Sequence, residues 1–173
     1  MTSTSLFKSA SALFLVLALF VTREARAETV ALTCVGAEVT EFEPGLTNDA
    51  RPTHISAIGT HGCAGLPLNL PSAIATTEAD GILGCGFGQA ASTIHIKWSD
   101  DTVSVVSGTT VVNAKPAGEN VIVLTGTVVS GRFLGATVIR TLTLLNTDVL
   151  GCFTAQGVTD VAGPVTLVVT KLL

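Results

Sequence analysis

From residue 28 onward the chain alternates apolar and polar positions over short runs and shows almost no helical period. Val, Thr and Ile recur at every second residue, and Gly, Pro, Asn and Asp break the runs. That period puts successive side chains on opposite faces of a strand. Residues 28–42, 52–59 and 72–83 read as strands, the last with a turn at Asp80-Gly81. Residues 43–49 read as a turn cluster and 61–71 as a loop. From Ser92 to Trp98 the alternation sets Ile94, Ile96 and Trp98 on one face and His95 and Lys97 on the other. Ser99 to Thr102 is a tight turn into a strand over 102–112. A hairpin turn at 114–120 leads to a strand over 121–129. Residues 130–136 form a Gly-flanked loop before a strand over 137–145. On that strand Val138, Arg140, Leu142 and Leu144 share a face, so Arg140 either sits at a strand edge or reaches a carboxylate. Residues 146–157 are irregular, and 163–172 form the last strand.

About eight short strands with turn signals between them predict an all-β, antiparallel β-sandwich, immunoglobulin-like or jelly-roll-like. One domain over 28–173 is long enough to bury a sizeable core. Residues 1–27 break this pattern. Lys8 precedes an unbroken apolar run from Ala12 to Val21, and Ala25-Arg26-Ala27 ends the segment. That is the grammar of a signal peptide, and the run is too short to span a bilayer as a helix. The expected location is secreted and extracellular, with no membrane association after signal removal.

Export changes the reading of charge and of cysteine. Residues 28–173 hold six basic and twelve acidic side chains, a net of −6, and the basic ones are scattered. Nucleic acid needs a basic footprint, so a nucleic-acid partner is not expected. Cys34, Cys63, Cys85 and Cys152 all lie in the exported part. An even count in an oxidising compartment reads as two disulfides. Of the three possible pairings, the strand layout favours Cys63–Cys85, closing neighbouring strands, and Cys34–Cys152, tying the first strand to the C-terminal region. Loop entropy gives about 3 kcal/mol for a short loop and nearly 5 kcal/mol for one of about 100 residues.

The chain also resembles a family. EPGLTN, WSDDT, SGRFLGATVIRTLTL and VLGC followed by a Gly-Pro strand are similar to small, largely uncharacterised secreted proteins of actinobacteria. The resemblance runs from about Cys34 to Val169 and implies secretion and an Ig-like β-sandwich. Its motifs are turns and strands, so it carries over no site residue.

Candidate chemistry is sparse. His54, His61 and Cys63 are metal-ligand types, but an oxidised cysteine has no thiolate to offer, and no metal or other cofactor is expected. Asp100 and Asp101 beside Trp98 read as turn residues rather than a paired-carboxylate site. Glu38, Glu41, Glu43 and Asp49 match no calcium loop. No GxSxG elbow supports a hydrolase, so catalytic residues are not expected. Arg132 and Phe133, in the loop flanked by Gly131 and Gly135, are candidates for partner contact; the competing reading tucks Phe133 inward. The stretch around Phe87 is a candidate lining for a small-molecule pocket. One Trp and no Tyr argue against a lectin-type aromatic platform. The sequence therefore predicts a non-catalytic extracellular binding or interaction module, with an unknown extracellular protein or small molecule as partner. A carrier of a small apolar ligand is the alternative, and a hydrolytic enzyme comes third.

Overall fold

The computed structural model describes residues 29–114, 120–144 and 150–172. The expected signal peptide, the central part of the 114–120 turn and the start of the 146–157 segment lie outside the described residues. The strands are β1 (Val30–Leu46), β2 (Arg51–Leu66), β3 (Ser72–Gly84), β4 (Phe87–Trp98), β5 (Val103–Ala114), β6 (Asn120–Gly131), β7 (Thr137–Leu144) and β8 (Val158–Lys171), with a short 3₁₀ turn at Gly151–Phe153 before β8.

Each strand pairs antiparallel with the next, and β8 returns to pair with β1, from Val30 opposite Lys171 to Glu41 opposite Asp160. The fold is thus a closed eight-stranded up-and-down barrel, not the expected sandwich, and neither the immunoglobulin-like nor the jelly-roll arrangement holds. The strands alternate as expected, but that alternation is the same for both folds. What separates them is the β1–β8 ladder, a pairing between the two ends of the chain that no local pattern encodes. Closure removes sheet edges.

Several elements run longer than expected. β1 continues through the predicted turn cluster to Leu46, with a register shift against β8 between Glu41 and Leu46. β2 continues through the predicted loop to Leu66, and β3 passes Asp80-Gly81 without turning. An eight-stranded barrel is just wide enough for side chains to fill it, and the inward residues do so. Near one end Val30, Leu32, Ile94, Ile96, Trp98, Val138, Leu167 and Val169 pack together. Leu70, from the β2–β3 connection, and Phe133, from the β6–β7 loop, join this cluster. Toward the other end Phe42, Ile55, Leu83, Val112, Ile122, Leu142 and Val165 form a second apolar cluster.

All four cysteines are oxidised, but in neither preferred pairing: the bonds are Cys34–Cys63 and Cys85–Cys152. Cys34 and Cys63 stand directly opposite each other on β1 and β2, a register set only when β2 runs through the predicted loop. Cys85–Cys152 staples the 3₁₀ segment to the β3–β4 turn.

Candidate functional site

Between the two apolar clusters lies a polar layer. On each contributing strand polar inward residues lie between those of one cluster and those of the other. They are Glu38 and Thr40 on β1, His61 on β2, Thr77 on β3, Ser92 on β4, Thr110 on β5 and Arg140 on β7, all buried. Arg140 meets Glu38 at 2.8 Å between Nη2 and Oε1, and its Nη1 donates to Thr77 Oγ1 at 2.5 Å. Thr40 donates to the same Glu38 oxygen at 3.0 Å. Ser92 and Thr110 close the layer at 2.7 Å. Of the two predicted roles for Arg140, the structure takes the second: it reaches a carboxylate.

Burial is the main influence on the ionisable groups here. It lifts the Glu38 carboxyl above its ordinary value, against the opposing pull of Arg140 and Thr40. Burial and then the Arg140 charge hold His61 below its ordinary value. The Ala73 and Gly59 main chain partly opposes this, without an aligned hydrogen bond to either ring nitrogen. Among the described residues Glu38 Oε2, Arg140 Nε and both His61 nitrogens have no aligned hydrogen-bond partner. A buried polar group left so costs about 1–3 kcal/mol. Gly59 explains how the groups fit. A Cβ there would stand 2.9 Å from His61 Cε1 and 3.2 Å from Glu38 Oε2, so the missing side chain leaves their space.

His54, His61 and Cys63 do not gather. His54 faces outward, while His61 is a buried strand residue rather than a loop residue, and Cys63 is in a disulfide. Among the described residues no three His, Cys, Asp or Glu side chains gather as a metal site. His54 instead bridges Glu78 and Asp80 at 2.9 Å each, and the Asp80 hydrogen bond leads in raising its pKa. Beside it runs an outer groove of about 450 Å³ bordered by Glu41, Glu43 and Asp160. Glu38 points inward, away from the acidic residues with which it was grouped.

Asp100 does turn work. It accepts from the Thr102 amide and hydroxyl and pairs with Arg132. The Thr102 hydroxyl is the leading influence holding its carboxyl below the ordinary range. The 130–136 loop is pinned rather than projecting. Gly131 and Gly135 adopt φ of +80° and +82°, which folds it back over the barrel. Phe133 is buried edge-on against Trp98, ring centroids 5.3 Å apart, and Arg132 lies over its face at 4.9 Å. The inward reading of Phe133 is the one observed.

Phe87 does not line an interior pocket; it is 52% exposed at the other end of the barrel. The Cys85–Cys152 bond places it at the same end as Leu150 and Phe153, which are 79% and 74% exposed. The segment carrying Phe153 is anchored by the Asn48 amide on the Cys152 carbonyl and by Arg51 on the carbonyls of Gly45 and Gln156. A shallow groove of about 520 Å³ runs beside Phe153 between Thr47, Arg51 and Thr154. Sequence reasoning missed Leu150 and Phe153, although two large apolar residues flanking a cysteine in an irregular segment were a usable signal. Searches of protein-family models, of curated proteins and of solved structures gave no match.

Proposed function

We propose that this chain is a secreted, non-catalytic binding module that engages an extracellular partner through the disulfide-bearing Cys85–Cys152 end of its barrel. The observation that carries this reading is the trio Phe87, Leu150 and Phe153, exposed together around a disulfide. Large apolar side chains grouped in water mark interaction surfaces, and a crosslinked segment gives up little freedom on binding. Two disulfides fit an oxidising environment. A carrier of a small apolar ligand is the weaker reading, because a charged layer divides the barrel interior between its two apolar clusters. The Glu38, His61 and Arg140 constellation has the perturbed pKa values of a catalytic site, but it is buried rather than set in a cleft.

The test is chemical crosslinking in the producing cell's own medium, comparing wild type with the Phe87→Ser/Phe153→Ser double variant. A defined adduct that the double variant loses, with an unchanged melting temperature, supports the reading. An adduct formed equally by both overturns the assignment of the surface, and no adduct at all overturns the module.

A further inference from the structure

We propose that the centre of the barrel is a binding site for a water-sized neutral molecule that both donates and accepts hydrogen bonds. Its walls are Glu38 of β1, His61 of β2 and Arg140 of β7, each no more than 4% exposed. Among the described residues five buried side-chain polar atoms have no hydrogen bond; four belong to these three side chains, and the fifth is Arg132 Nε, in the β6–β7 loop. The four converge. Glu38 and Arg140 are in direct contact, and the Glu38 carboxylate and the His61 ring both overlie the bare Cα of Gly59.

The chemistry of the guest follows from what the walls offer. Arg140 Nε–H is a donor and Glu38 Oε2 an acceptor; a neutral imidazole adds one of each. That makes two donors and two acceptors, the complement of a water molecule or a short chain of waters. An anion would meet the Glu38 carboxylate, and a cation would meet the Arg140 guanidinium. An apolar guest would leave all four atoms unpaired. Ordered waters with about three such bonds are a regular part of protein interiors. Among the described residues the layer has no ionisable members besides Glu38, His61 and Arg140; its other polar side chains, Thr40, Thr77, Ser92 and Thr110, are hydroxyls with partners of their own. The site would therefore be a fixed hydrated joint between two apolar halves, independent of any partner at the barrel end.

High-resolution diffraction together with water–protein NMR cross-relaxation on the intact protein tests this. The expected result is ordered density about 2.6–3.2 Å from Glu38 Oε2 and from Arg140 Nε or a His61 nitrogen. Cross-relaxation from long-lived water to the Gly59 amide and the His61 ring should accompany it. At least a several-fold weakening at the Gly59 amide is expected in His61→Phe. Two results would overturn the proposal: a dry centre with Glu38 bonded directly to His61, or density for a larger organic molecule. The wild-type measurements stand alone if the variant does not fold.

Discussion

Replacing Arg140 by Met keeps an apolar stem of similar length but strips Glu38 of its counter-charge. Glu38 is 2% exposed, and with the guanidinium gone Thr40 is its one remaining side-chain donor among the described residues. The Arg140 bond to Thr77 goes as well. Removing one partner of a buried ion pair costs about 3–5 kcal/mol, because the other charge is left in a low-dielectric interior. With a urea dependence of about 2 kcal/mol per molar, the unfolding midpoint at pH 7 falls by about 1.5–2.5 M. The double variant Glu38→Leu/Arg140→Met removes both charges and joins the two apolar clusters. It should recover most of that loss, since a well-packed apolar replacement of a buried pair is often neutral. The pH dependence has a definite sign. The Glu38 pKa is already raised, so acidification protonates it in the folded state. The penalty of Arg140→Met therefore shrinks as the pH falls toward that raised value. Urea titrations of wild type, both single variants and the double variant at pH 7 and pH 5 give the full cycle. A loss below about 1 kcal/mol in Arg140→Met, or a double variant as unstable as the summed singles, would refute the buried-pair reasoning.

The two buried or bridged histidines should act on stability in opposite directions. His61 resists protonation in the fold, so its contribution is present above pH 6.5 and lost as the pH falls below it; His61→Phe should flatten that acid-side decline in denaturant midpoints. His54 has a raised pKa, so its contribution is full below pH 6.5 and disappears as the pH rises through the folded value; His54→Gln should remove that trend. Breaking Cys85–Cys152 by paired serine substitution should cost about 4.4 kcal/mol on chain-entropy grounds, and Cys34–Cys63 about 3.6 kcal/mol, read from thermal or urea unfolding. Phe133→Ala opens space against Trp98 and should cost about 3–5 kcal/mol. Phe153→Ser, at an exposed site, should stay within about 0.5 kcal/mol of wild type.

The facing of individual side chains was legible in the sequence to a useful depth. Ile94, Ile96 and Trp98 do point inward, as do Val138, Arg140, Leu142 and Leu144, because period-two alternation is a local property of a strand. The Ser99–Thr102 turn and the 130–136 loop also lie where Asp and Gly put them. Ring closure was not legible, since it depends on β1 meeting β8. The disulfide pairing failed for a related reason. Placing 61–71 in a loop took Cys63 off β2, where it stands opposite Cys34. The burial of His61 was hidden for the same reason. With β2 extended, its position becomes inward-facing, and its neighbours become Glu38 and Gly59 rather than solvent. Glu38 itself alternates in phase with Leu32 and Cys34, so its burial was readable from β1; its pairing with Arg140 depends on the closed ring.

The most direct test of the account is hydrogen exchange on the protein in its concentrated native medium, compared with the purified protein alone. Partner engagement through the disulfide-bearing end predicts new protection at residues 84–88 and 150–157, with the β5–β7 wall unchanged. Protection confined to the β5–β7 wall, or no difference between the two samples, would contradict it.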